Sequence, residues 1–216
     1  MRLFLVRHGE TCWNKDEIFR GRIDVKLNEH GLEQARLTAA ALRDLALSAI
    51  YASPLQRAAE TARLIAEPHG LPVIIEPGLT DLDYGSWQGL SHEQVQEQQP
   101  DVYRQWVDNP QLVHFQGGEG LADVRSRVLD VYRLLAERHH DQNVVAVSHR
   151  VANKVLLCAL LGLDNSHFWR LRQDTCAINV IDEDSRYGCV IRHLNDTSHI
   201  QPLSAAFAAN YKTADF

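Results

Sequence analysis

The chain lacks any apolar run near the roughly 20 residues that a membrane-spanning helix needs. Its N-terminal apolar stretch, Leu3 to Val6, falls short of the about 7–15 residues of a signal-peptide core. Basic charge is also scarce, with a formal net charge of -6. That balance removes the electrostatic footprint of a nucleic-acid binder and the basic cluster that holds a protein to an anionic membrane. The four cysteines, Cys12, Cys158, Cys176 and Cys189, form no CxxC pair, so a zinc knuckle or thioredoxin-type motif is not expected. Eleven histidines are present, yet none sits in an HxxxH or HExxH spacing, which disfavours a metallohydrolase. No Gly/Ser-rich or Pro-rich tract divides the chain, and no internal repeat is visible. These absences imply scattered free thiols in a reducing compartment and a cytoplasmic location.

What remains is ordinary globular composition: 216 residues, 45% hydrophobic and 23% charged. That suits a single domain with a sizeable core, expected over residues 1–200. Residues 201–216 read as a C-terminal tail, with Leu203, Phe207 and Tyr211 at helical spacing. The tail either docks on the body or a partner subunit, or frays.

Strands and helices alternate. Arg2–Val6 reads as a buried strand and Gly31–Leu45 as a helix capped by Asn28. Ala49–Ala52 is a short strand. Ser53, Pro54 and Gln56 then carry the marks of a helix start: cap, first-turn proline and capping box. That helix should run to about Glu67, before Pro68 and Gly70. Val73–Glu76 is a further strand. Residues Asp81–Gly120 are loop-rich with short helices, and Ser91 with Gln94 offers a second capping box. Leu121–His139 is a long helix. Asn143–Ser148 is an apolar strand followed by a helix over Val151–Leu161. Ala177–Asp182 and Cys189–Leu194 would form an edge hairpin. The pattern implies an α/β fold with a mostly parallel sheet, whose ligands bind beyond the carboxyl ends of the strands.

Two such ends carry chemistry. Arg7-His8-Gly9 places a planar cation, a nucleophile and a flexible backbone together. A neutral imidazole can attack phosphorus, Arg7 suits phosphate oxygens, and the Gly9 N–H could face an anion. Ser148-His149-Arg150 closes the other strand. Arg57 falls in the first turn of a helix, where free N–H groups and the dipole already attract phosphate. Taken singly, each of these residues has an ordinary structural use.

Taken together they resemble the histidine phosphatase superfamily, which includes the cofactor-dependent phosphoglycerate mutases. Arg7-His8-Gly9-Glu10-Thr11 with Trp13 and Asn14 is similar to the family's first signature, and Ser53–Ala62 to its second. Leu79–Gly89 resembles the third and Val147-Ser148-His149 the fourth. Phe19–Asp24 and Asn195-Asp196-Thr197 match in part. The order and spacing agree from Arg2 to about His199.

The resemblance implies a three-layer α/β/α sandwich and a metal-independent phosphatase that hydrolyses a small phosphomonoester through a phosphohistidine on His8. No cofactor and no metal are implied. Arg7, Arg57 and His149 would form the phosphate pocket, joined by Asn14 and the Gly9 backbone. Protonated His149 would help as charge gathers on the phosphoryl oxygens. The expected partner is a small phosphorylated metabolite, and relatives are often homodimers.

Departures from the pattern leave alternatives. The family usually has Glu where this chain has Asp81, one methylene shorter. Either the loop sits closer, or a rival such as Asp83 supplies the proton. The residue after the second histidine is usually Gly but here is Arg150. With Arg20, Gly21 and Arg22 in a loop that resembles a substrate-facing one, it could meet a second anionic group. Otherwise these arginines face solvent or pair with acidic neighbours. Glu119 either caps the long helix or lines the pocket. Cys12 is either oxidation-sensitive or inert packing. Mutases of the family carry a basic insertion after the acid-bearing loop, and Ser91–Asn109 lacks those basic residues, which favours a phosphatase over the mutase alternative. A non-catalytic phospholigand-binding module is a further alternative.

Overall fold

A computed structural model describes residues 1–15, 18–184 and 186–200; the C-terminal tail and its expected helix lie outside these. The elements in chain order are β1 (Arg2–Arg7), α1 (Cys12–Lys15), α2 (Glu29–Leu42), β2 (Leu47–Ala52), α3 (Gln56–Ala66) and β3 (Val73–Ile75). There follow α4 (His92–Gln98), α5 (Pro100–Asp108), α6 (Leu121–Arg138), β4 (Asn143–Ser148), α7 (Arg150–Leu160), β5 (Ile178–Asp184) and β6 (Gly188–Asp196).

All six strands join one sheet in the order β3-β2-β4-β1-β5-β6. The β3-β2, β2-β4 and β4-β1 pairs are parallel, while β5 runs antiparallel to β1 and β6 to β5. The edge hairpin is therefore present. Alternation along β1 splits the core between two faces. Leu3 and Leu5 pack with Val128, Leu135, Val155 and Leu156 of α6 and α7. Phe4 and Val6 pack with Ala39 and Leu42 of α2 and with Ala58, Ala62 and Ile65 of α3. The result is the expected α/β/α sandwich. Each fully buried Leu, Val or Phe contributes about 1.5–3 kcal/mol, which sets the register of the whole sheet.

Local signals explain where the helices begin. Asn28 accepts a 2.7 Å hydrogen bond from the Gly31 N–H, as expected of the α2 cap. Ser91 and Gln94 make the expected capping box on α4. The start of α3 differs from expectation. Helix geometry begins at Gln56, and Ser53 and Pro54 precede it. The first free N–H of α3, on Gln56, is taken by Asp24 Oδ1 at 2.7 Å, from a distant loop. A cap supplied across 32 residues leaves no local trace, and it releases Ser53 for another partner.

The small side chains Ala58 and Ala62, both fully buried, let α3 lie close on the sheet. This carries Arg57 to the carboxyl ends of β2 and β4. Register does the rest: Arg7 pairs with Ser148, so the residues that follow, His8 and His149, emerge side by side.

Candidate active site

The two histidine rings lie 5.1 Å apart, centroid to centroid, and both side chains are fully buried. Their partners fix opposite tautomers. His8 Nδ1 is 2.6 Å from the Gly9 carbonyl oxygen, which can only accept, so Nδ1 carries the proton and Nε2 keeps its lone pair. His149 Nε2 is 2.7 Å from Ser53 Oγ. That oxygen also accepts the Leu55 N–H at 3.3 Å, and among the described residues no other acceptor meets its own proton, which is assigned to His149 Nε2 on that ground. His149 therefore holds its proton on Nδ1, the side that lies 3.8 Å from Asp81 Oδ2.

Burial, then Arg57, Arg7 and Arg20, push His8 well below the ordinary histidine range. Burial, then Arg57, His8 and Arg20, do the same to His149. Both are neutral near pH 7. Without a phosphoryl group beside it, His149 is thus held neutral by burial and the surrounding arginines.

Two arginines flank the rings. Arg57 Nη2 donates to the Gly21 carbonyl at 2.7 Å and lies 3.3 Å from Asp81 Oδ2, while Nη1 donates to the Ile23 carbonyl at 3.0 Å. Arg7 Nη1 donates to the Gln173 carbonyl at 2.6 Å. Behind it, Gln173 and Asn179 exchange two amide hydrogen bonds of 2.8 Å each. Burial and the neighbouring Arg150 bring Arg7 down to about 10. Half-buried Arg20 joins the same group, at about 9, through burial and the charges of Arg7 and Arg57. Arginine keeps its charge at these values, so the lowered figures reflect burial first and the crowding of the cations second. Among the described residues, unpartnered buried polar atoms gather here: Arg7 Nε, His8 Nε2, Arg20 Nε, Arg57 Nε and His149 Nδ1. Such atoms are costly unless a ligand meets them.

Asp81 is 5% exposed and belongs to this group. Its loop is clamped from below. Arg127 donates to the carbonyls of Gly78 at 2.9 Å, Thr80 at 2.5 Å and Asp81 at 3.0 Å. Ser148 Oγ donates to the Leu79 carbonyl at 2.6 Å. The shorter acid is thus held inside the pocket. Asp83 is occupied elsewhere: its Oδ1 takes the Gly85 N–H at 2.9 Å.

Other expected site residues have different employment. The Gly9 N–H donates to Thr61 Oγ1 at 3.1 Å and is already spent; the Gly9 carbonyl, not its amide, is what the site uses. Asn14 Oδ1 accepts from the Thr11 N–H and hydroxyl, both at 2.9 Å, which ties that oxygen to its own turn. Gly21 has φ +52°, and its carbonyl orients Arg57. Arg22 pairs with Glu119 at 2.8 Å, and Glu119 also takes Arg127 at 3.0 Å, so both are structural braces. Cys12 is exposed rather than packed. Arg150 opens α7 with its guanidinium carbon 6.0 Å from the centre of the Trp169 ring. Among the described residues no group of three or more His, Cys, Asp or Glu could hold a metal ion, and no helix is long and apolar enough to cross a membrane.

Reading the sequence missed Ser53 as the partner of His149, the Arg127 clamp, the Gln173–Asn179 pair and Lys154. Only Lys154 left a signal: it is the one charged residue inside the mostly apolar stretch Val151–Cys158.

Comparison with known proteins bears on this geometry. A family model described as histidine phosphatase superfamily (branch 1) matches residues 3–197. Phosphoserine phosphatase 1 of Hydrogenobacter thermophilus is 42% identical over 93% of this chain and 94% of its own length. The adenosylcobalamin/alpha-ribazole phosphatase of Escherichia coli is 32% identical over 90% of this chain and 96% of its own. The solved structure of Bacillus stearothermophilus YhfR superposes with a TM-score of 0.88 at 30% identity, covering 92% of this chain and 98% of that one.

Proposed function

Since this chain belongs to the histidine phosphatase superfamily (branch 1), we propose that it is a metal-independent phosphatase that hydrolyses a small phosphomonoester through a phosphohistidine on His8. The observation that carries the reading is the pair of opposed tautomers. One histidine offers a lone pair where its neighbour offers an N–H, with two arginines alongside. Attack on phosphorus needs the first. The equatorial oxygens need the rest, since phosphoryl transfer depends on positioning and charge neutralisation.

In the first half-reaction His8 Nε2 bonds to phosphorus as the ester P–O bond breaks. The leaving oxygen takes the proton of Asp81. In the second, water attacks phosphorus, Asp81 takes back a proton, and the P–N bond breaks to release inorganic phosphate. The sum is ester plus water giving alcohol plus phosphate. Arg7 and Arg57 hold the phosphoryl oxygens through their remaining N–H groups, and His149 donates from Nδ1. The segment that would close over a mutase intermediate carries Glu93, Glu97, Asp101 and Asp108 against one basic residue, Arg104, which supports water as the acceptor. The same reading includes a cytoplasmic enzyme acting as a homodimer, a state the exposed Ile74 and Ile75 of β3 support.

The test is phosphate release from a panel of phosphomonoesters in chelator, by wild type and His8→Ala, with 3-phosphoglycerate also followed for conversion to 2-phosphoglycerate. Chelator-resistant release that vanishes in His8→Ala is the expected result. Interconversion faster than release would replace the phosphatase with a mutase.

A further inference from the structure

The wall of the pocket beyond the phosphate groups holds a cation without a counterion. Lys154 is 6% exposed. Among the described residues its Nζ makes no hydrogen bond and no ion pair. It stands 4.8 Å from the centre of the Phe168 ring and 4.9 Å from that of Trp169. Arg150, one helical turn earlier on α7, lies over the same Trp169 ring. Ring faces attract an ammonium but cannot neutralise it. A buried, unpaired charge destabilises a protein, and such groups persist where a ligand supplies the missing partner.

The groups that act on Lys154 are Arg150, Arg7, Cys158 and Asp174. The first two repel it. Asp174 is already engaged by Arg172 Nε and by Asn195 Nδ2, each at 2.8 Å. Burial, then Arg150 and Arg7, bring the ammonium down to about 7. The cations that act on one another here are Arg7, Arg20, Arg57, Arg150 and Lys154, and the carboxylates that act on them are Asp81 and the already engaged Asp174. A phosphoryl dianion would leave positive charge over, on the Lys154 side.

We propose that Lys154, with Arg150, is a specificity-determining pair that binds a carboxylate carried by the substrate, so that the ester hydrolysed is a phosphorylated small carboxylic or amino acid. This rests on the phosphatase reading and names its substrate class. Arg150 brings a planar fork that matches a carboxylate, and Lys154 brings a point charge to a remaining lone pair.

Matched esters test it, because O-phosphoserine and O-phosphoethanolamine differ only in the carboxylate, as do 3-phosphoglycerate and 2-hydroxyethyl phosphate. Wild type should favour the carboxylate member of each pair in kcat/KM by at least about tenfold. Lys154→Met, similar in length and apolar, should reduce that preference by about tenfold, mainly through KM. Its Tm should not fall, since an unpaired buried charge has been removed. With wild type, KM for the carboxylate member should rise as pH is raised through about 7, where free Lys154 loses its proton; Lys154→Met should not show this rise. An unchanged preference in Lys154→Met would make Lys154 a packing residue and overturn the proposal. Faster turnover of a bisphosphate than of either carboxylate would overturn the substrate class. Calorimetric titration of His8→Ala protein with O-phosphoserine and O-phosphoethanolamine reads the same preference without turnover. The proposal is therefore judged even if hydrolysis itself proves absent.

Discussion

The two ends of the pocket are built in opposite ways. At the phosphate end every side chain is braced: His8 by Gly9, His149 by Ser53, Arg57 by Gly21 and Ile23, Arg7 by Gln173. At the far wall Arg150 and Lys154 have no hydrogen-bonded side-chain partner among the described residues. The braced end meets the phosphoryl group, which all phosphomonoesters share, and preorganisation there lowers the barrier for any of them. The far wall meets whatever distinguishes one ester from another. Its cations remain unsatisfied in the protein alone, so binding energy is gained when the right substrate satisfies them. Rate and choice are thus separated in space.

That separation can be broken from the braced end. Asp81→Asn should slow turnover of alkyl esters by about 10²–10⁴, or roughly 3–5 kcal/mol of barrier. It should slow an aryl ester with a good leaving group far less. Equal loss on both would remove Asp81 from the proton-donor role. Removing the hydroxyl that sets the His149 tautomer, in Ser53→Ala, should cost about tenfold in kcat, or roughly 1.4 kcal/mol, with little change in KM. The loss should be uniform across substrates. A loss that depended on the substrate's far group would mean that the two ends are coupled.

The smallest effect expected is on pH dependence. His8 lies well below the ordinary range. For an ester without a carboxylate, and with the substrate's own ionisation divided out, kcat/KM should therefore stay flat as pH falls through about 6.5. An acid limb centred there in an unligated-enzyme titration would contradict the burial of the nucleophile. Stability follows the same shifts. Because folding depresses His8, His149 and Lys154, the unfolded chain binds more protons. Stability present at high pH is lost first as pH falls from about 10.5 to about 7, through Lys154, and again below about 6.5 through the histidines. Denaturant midpoints across that range check the order.

Much of this was legible in the sequence because it rests on local or periodic signals. Alternation and apolar runs located β1 and β4 and hence both histidines. Asn28 and Ser91 announced the helices they cap. The long-range arrangements left no such mark. Asp24 caps α3 from another loop. Arg127 clamps the Asp81 loop from the middle of α6. Ser53 read as a helix cap, the commoner use of such a serine, although its hydroxyl orients His149. Gly9 was expected to lend its amide to the anion, but Thr61 from α3 takes it. In each case the decisive partner comes from another element, and only the fold brings it near. Lys154 is the exception: a charge in the middle of an apolar helix stretch is visible in the residues themselves, and its burial is the feature that gives it meaning.

Gly9 and Gly31 press backbone against backbone: a Cβ on Gly9 would come within 2.5 Å of the Gly31 carbonyl oxygen, and one on Gly31 within 2.1 Å of the Glu10 carbonyl oxygen. Neither clash involves a side chain that could turn aside. In a saturation-mutagenesis library these two positions should therefore behave as a pair without suppressors, each intolerant of any replacement and neither rescued by change at the other. The carbonyl that orients the nucleophile is thus seated on main chain alone. Sequence drift elsewhere can repaint the pocket's far wall, and with it the choice of ester, while the attacking nitrogen stays where it is.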